Sequence, residues 1–342
     1  MAEPRPRVWV SQPLFDDIVA RLAAHFEVRA ASAVAAYAPA DIARALADAD
    51  GALVTLNERI GADEIAGASR LRAIANVGVG YNNLDIDALS AAGVLATNTP
   101  DVLTETTADL GFALLMAAAR RIGESERWLR AGRWRQWSFS TLLGADIHGS
   151  TLGILGMGRI GQAIARRGAH GFGMRVVYHN RRPLPGEAEA ALGATWLEFE
   201  RLLAEADHLV LVLPYSAATH HIVDAAALAR MKPTATLVNI ARGGIVDELA
   251  LAEALAAGRL AAAGLDVFEG EPAVRPELLA LDNVVLTPHI GSASLATRRA
   301  MVALAVDNLI AALGAGPHAG RPPSPVNADA VAETLGTRDR KR

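Results

Sequence analysis

Along this chain, short runs of aliphatic and β-branched residues alternate with longer stretches whose apolar positions recur every three or four residues. That alternation is the signature of βα units wound around a parallel sheet. In the first hundred residues it predicts strands over 8–10, 26–29, 52–55, 73–77 and 94–97, with helices over 14–25 and 39–49. Helical periodicity then holds over 104–121, long enough to carry the chain from one domain to the next. The rhythm restarts at Thr151 and predicts strands over 152–155, 175–178, 194–196, 208–213, 236–239, 262–266 and 284–287. Leu209-Val-Leu-Val-Leu213 is apolar at every position, as a central strand covered on both faces must be. A final helix is expected over 294–313, and the Pro-, Gly- and charge-rich segment 319–342 is expected to be disordered.

Composition adjusts this picture. At 342 residues the chain exceeds one ordinary core. Two doubly wound α/β domains are therefore expected: a discontinuous one over 1–101 and 289–318, and a continuous one over 102–288. Segment 123–148 has no place in either sheet; its Trp128, Trp134, Trp137 and Phe139 among arginines read as an irregular oligomer contact. The net charge of −4 gives no reason to expect nucleic acid or an anionic membrane as partner. There is no cysteine, which removes disulfides, thiolate metal sites and a cysteine nucleophile. Apolar stretches such as 113–119 fall far short of a membrane span, and residues 1–10 lack the apolar core of a leader, so a soluble cytoplasmic protein is expected.

Gly156-Met-Gly-Arg159-Ile160-Gly161 follows a predicted strand and opens a predicted helix. In that setting the glycine triplet is a strong dinucleotide signal. Gly156 permits the tight turn, Gly158 lets the backbone approach a pyrophosphate, and Gly161 lets helix pack on strand. About twenty residues on, an NAD site normally offers a carboxylate to the ribose; here the strand ends Tyr178-His179-Asn180-Arg181-Arg182. Two guanidinium groups at that point predict a preference for NADPH, with NADH the open alternative.

Three further residues sit at predicted strand ends: Arg242 after Asn239, Glu271 after Asp266, and His289 after Thr287. In open α/β sheets the carboxyl ends of strands surround the ligand crevice, so these side chains are expected to converge. Each also suits a task in reducing a 2-oxo acid. Arg242 can grip the carboxylate and polarise the carbonyl; His289 can deliver the proton; Glu271 can bond the far ring nitrogen and stabilise the imidazolium.

Together these motifs resemble the D-isomer-specific 2-hydroxyacid dehydrogenase family over roughly residues 8–313. Gly132-Arg-Trp-Arg-Gln-Trp137, the Arg-Arg strand end and Pro288-His-Ile-Gly-Ser-Ala293 look most like its glyoxylate/hydroxypyruvate reductase branch. The resemblance implies a flavodoxin-like substrate domain, a Rossmann domain, a homodimer and Arg242, Glu271 and His289 as the catalytic set. It implies that Val77-Gly78-Val79-Gly80 holds the substrate carboxylate by backbone N–H groups, with Leu56 and Trp137 at the substrate. It places Asp266 at the nicotinamide carboxamide, Thr107 near the phosphates, and Leu213, Pro214, Thr219, Ile240, Ala241 and Gly291 in the nucleotide site. Glyoxylate and hydroxypyruvate are the expected substrates. A 3-phosphoglycerate or D-lactate type, and a nucleotide-sensing corepressor, are the alternatives. His220-His221 offers adjacent imidazoles, but no accompanying zinc-hydrolase pattern, and no metal is expected.

Overall fold

The computed structural model describes residues 5–339. The chain divides into two units, one of residues up to Leu103 together with those from Ser294 onward, the other Thr104–Ala293.

In the first unit, β1 (Arg7–Val10), β2 (Glu27–Ala30), β3 (Gly51–Val54), β4 (Ala73–Asn76) and β5 (Leu95–Thr97) form a parallel sheet in the order β2-β1-β3-β4-β5. This is the flavodoxin-type order. Alternation along each strand loads both faces. Val8, Val10 and Leu53 point into a layer with Val302, Val306 and Leu309 of the Leu295–Ala312 helix. Trp9, Ala52 and Val54 point the other way, against Ile42, Leu46 and Leu89. Ser294 caps the long helix by accepting from the Thr297 N–H, where helix N-termini leave donors unpaired.

The expected disorder over 319–342 is corrected for the described residues up to 339; residues 340–342 lie outside them. Pro325 bridges antiparallel to Thr97, and a helix over Ala328–Asp339 packs on the Ile86–Ala92 helix. The anchor is Asn327, buried, whose Oδ1 accepts from Ala96 N while its Nδ2 donates to Ser90 Oγ and Val94 O. One amide thereby ties three buried groups of this edge together.

In the second unit, β6 (Thr151–Leu155), β7 (Arg175–His179), β8 (Ala194–Trp196), β9 (His208–Leu211), β10 (Thr236–Asn239), β11 (Ala262–Leu265) and β12 (Val284–Leu286) pair in parallel in the order β12-β11-β10-β9-β6-β7-β8. The order reverses between β6 and β9, the switch point where Rossmann-type sheets receive ligands. Leu209 and Leu211 face one apolar layer and Val210 the other, so β9 is buried throughout. The Thr104–Ala119 helix lies flat on the sheet because Gly111 and Gly264 are small. A Cβ on Gly111 would come within 2.8 Å of Ile240, and one on Gly264 within 3.1 Å of Leu114.

Segment 123–148 is only partly irregular. Ile122–Arg130 is helical and anchored where Arg127 donates to Asp282 O at 2.8 Å; residues 131–140 are wholly exposed. Its arginines and glutamates hid the periodicity. The Thr104–Ala293 boundary also keeps His289, expected in the substrate domain, with the nucleotide-type unit. Among the described residues, no helix is long and apolar enough to cross a membrane.

Candidate active site

The glycine loop joins β6 to the Arg159–Arg166 helix. Gly156 has φ 102°, and its N–H donates to His179 O across to the end of β7. A Cβ at Gly156 would meet the Leu213 backbone at 2.7 Å, and one at Gly161 would meet Gly156 O at 2.4 Å. At Gly158 a Cβ would meet nothing within 4 Å, so this backbone faces open space ahead of a helix N-terminus. That is the cradle a pyrophosphate requires. Asn180 shapes it from the neighbouring strand, its Oδ1 accepting from Met157 N at 2.7 Å. Arg181 and Arg182 are exposed just beyond. The residues present therefore fit a dinucleotide.

Other expected contacts divide. Leu213 stands against Gly156. Thr219 uses its hydroxyl within its own turn, accepting from Ser216 N and donating to Pro214 O. Ile240 is buried against the Thr104–Ala119 helix, and Ala241 donates its N–H to Asn239 Oδ1.

At the ends of β10, β11 and β12 the three expected side chains gather. His289 Nδ1 lies 2.7 Å from Glu271 Oε2, and Glu271 Oε1 accepts from Phe268 N at 2.9 Å. Burial pushes the Glu271 carboxyl up, but the His289 hydrogen bond and charge, the Phe268 N–H and the Arg242 charge outweigh it. The net effect holds Glu271 below the ordinary carboxylate range. Burial pulls the Arg242 guanidinium below its ordinary value, opposed by the negative charge of Glu271. Because Nδ1 is engaged, Nε2 is the His289 nitrogen left for chemistry.

Backbone packing makes this convergence possible. At Gly243 a Cβ would sit 1.9 Å from Phe268 C, so the Arg242 loop and the Glu271 loop touch main chain to main chain. Asn239, buried at the end of β10, donates to Arg242 O and holds the Arg242 turn. Buried Glu248 accepts from Glu269 N on the other loop. His289 itself has φ 52°, a left-handed conformation that a residue with a Cβ adopts only under constraint. The constraint is Asp266, whose main-chain oxygen accepts from His289 N at 2.8 Å. Its carboxylate accepts from Thr287 Oγ1, Ile290 N and Gly291 N at 2.6–2.8 Å. Asp266, expected at a carboxamide, also clamps the histidine loop. Thr107 stands beside Gly291 in the same corner. Asn239, Glu248 and this role of Asp266 carry no motif, and only the fold reveals them.

In the first unit, Val77–Gly80 follows β4. Val77 donates to Val54 O, Gly78 O accepts from Thr99 N, and Gly80 O accepts from Asn76 Nδ2. The Val79 and Gly80 N–H groups meet no acceptor among the described residues, so two adjacent donors remain unused there. A Cβ on Gly78 would lie 3.0 Å from Leu56. The Leu56 loop is held by Glu58, buried and missed in the sequence, which accepts from Ser11, Gln12 and Thr55. Trp137 is exposed and packs edge-on against Phe139.

A Rossmann sheet with a phosphate cradle at its switch point and an Arg–Glu–His corner at neighbouring strand ends defines a dinucleotide-dependent oxidoreductase. Comparison with known proteins narrows the class. Residues 112–291 match the profile of the D-isomer specific 2-hydroxyacid dehydrogenase NAD binding domain. The chain is 46% identical over 311 residues to a glyoxylate reductase of Thermococcus onnurineus, covering 90% of this chain and 92% of that one. It is 47% identical over 310 residues to glyoxylate/hydroxypyruvate reductase B of Pectobacterium atrosepticum, covering 90% and 95%. An NADPH-dependent glyoxylate/hydroxypyruvate reductase of Sinorhizobium meliloti, solved with NADP and malonate, superposes with TM-score 0.83 at 38% identity, covering 94% and 97%. The chain belongs to the D-isomer specific 2-hydroxyacid dehydrogenase family.

Proposed function

We propose that this protein reduces the 2-oxo acids glyoxylate and hydroxypyruvate, the latter to its D-hydroxy acid, with NADPH, as a cytoplasmic homodimer. The 2.7 Å bond between Glu271 and His289 Nδ1, beside a half-buried Arg242, carries the reading. It is supported by relatives named for these substrates along nearly their whole length.

When bound, the dinucleotide supplies the hydride. Arg242 holds the substrate carboxylate and polarises the carbonyl oxygen through charge-assisted hydrogen bonds. His289 gives its Nε2 proton to the oxygen as negative charge develops there. Glu271 stays ionised and stabilises the imidazolium before the transfer. Val79 and Gly80 supply N–H donors for a carboxylate in the first unit. The exposed Trp134, Trp137, Phe139 and Leu143 support a subunit contact.

A panel of 2-oxo acids tested with NADPH and NADH decides the reading. Fast loss of NADPH absorbance with glyoxylate and hydroxypyruvate is expected, and no turnover of either would refute it. Arg181→Asp should raise KM for NADPH on the order of tenfold while changing NADH little; equal changes would remove the NADPH assignment. Light scattering at micromolar concentration should give twice the chain mass.

A further inference from the structure

Outside the reacting centre, the second unit brings together three metal-ligand side chains that lie far apart in sequence. His220, His221 and Glu269 each offer one donor atom, all within 4.8 Å of one another, the one such convergence among the described residues. His221 Nε2 lies 3.1 Å from Glu269 Oε2, and the two imidazoles stack at 3.8 Å. The strand-end carboxylate supplies the partner that the adjacent histidines lacked in the sequence.

We propose that His220, His221 and Glu269 bind one borderline divalent cation of the Zn²⁺ or Co²⁺ type. Two imidazoles and a carboxylate favour such ions over Mg²⁺ or Ca²⁺, which demand oxygen ligands. Bonds of about 2.0–2.1 Å place tetrahedral ligands about 3.4 Å apart, a spacing close to the 3.1 Å His221–Glu269 contact. The supports are already rigid. His221 has φ 48° and donates its N–H to Gly244 O at 2.8 Å, and buried Glu248 accepts from Glu269 N. Tyr215 Oη lies 3.2 Å from His220 Nδ1 and orients that ring, the outer-shell contact a ligating histidine needs. His220 is exposed, which leaves room for water to complete the coordination. A structural hydrogen bond explains His221 and Glu269 but gives no reason for a second imidazole stacked beside them.

The test is calorimetric titration of untagged, chelator-treated protein with ZnCl₂, with CoCl₂ as a spectroscopic probe. One Zn²⁺ per chain is expected, along with the visible absorption of a low-coordinate Co²⁺ centre. His220→Ala, at an exposed position, and Glu269→Gln, which keeps the side-chain volume, should each weaken binding more than about tenfold, the loss that even supporting residues cause. His289→Ala should still bind one Zn²⁺. No stoichiometric Zn²⁺ binding, or unchanged affinity in both ligand variants, overturns the proposal. So does loss of the site in His289→Ala alone, which would assign the ion to the reacting centre.

Discussion

Two histidine–glutamate pairs share one short loop of this molecule and differ in what stands behind them. Glu271 meets His289 and Glu269 meets His221; both histidines have left-handed backbones, at φ 52° and 48°. Exposure does not separate the pairs, since the four side chains range only from 31% to 35%. The difference lies in the ring nitrogen used and in the neighbours. His289 spends Nδ1 on its carboxylate, which leaves Nε2 for chemistry, and sits at the corner that holds Arg242. His221 spends Nε2, and its nearest ring is another imidazole. A cationic neighbour suits gripping an acid and moving a proton to it; a second imidazole suits sharing a metal ion. The same Glu–His contact is therefore turned to two chemistries by its surroundings.

Removing what both pairs share should have the largest effect. Gly243→Ala forces a side chain into the Phe268–Glu269 backbone, which cannot yield as a side-chain end would. A loss of more than about 4 kcal/mol of stability, or failure to fold, is expected by thermal or urea unfolding. Near-normal stability would show that the loop carrying both glutamates moves freely.

Asp266→Asn acts on only one pair. It replaces a carboxylate that accepts from Thr287, Ile290 and Gly291, loosening the strained His289 loop. Hydrogen bonds to a charged group contribute about 1.5–3 kcal/mol. A roughly tenfold to hundredfold fall in kcat with a smaller change in KM is expected. A change confined to KM for the dinucleotide would make Asp266 a cofactor contact and not a clamp on His289.

Glu271→Gln gives the smallest of these effects and a distinctive one. The Glu271 carboxyl is held below its ordinary value, near 4.3 for a free glutamate. A depressed folded value means that the stabilisation of the His289 pair is full above the ordinary range and is lost as pH falls through the depressed value. Wild-type kcat/KM should therefore fall on the acid side only below that range. The Gln variant should lose this acid limb along with roughly tenfold of its activity. An unchanged acid limb would mean that another group sets it.

Much of this was legible beforehand, for physical reasons. Most strands of the described residues announce themselves by apolar runs, Glu27–Ala30 being the clearest exception, and the glycine triplet by a turn geometry only glycine allows. Arg242, Glu271 and His289 followed because strand ends are where such sheets place chemistry. What escaped was carried by side chains that bond the backbone of distant segments. Asn327 orders a tail whose composition reads as loose; Asp266 spends its carboxylate on the His289 loop; Glu248 and Glu269 reach the corner from separate elements. Such bonds leave no periodicity. The Ile122–Arg130 helix was hidden because four of its nine residues are charged and none is buried.

The most direct test is single-turnover reduction of glyoxylate by His289→Asn loaded with NADPH, with dinucleotide binding measured in parallel. General acid catalysis contributes about 10²–10⁴-fold. A fall of that size in the hydride-transfer rate, with NADPH affinity kept, is the expected result. A rate within a few-fold of the unmodified protein would show that the proton comes from elsewhere and that the Glu271–His289 contact only holds the loop together.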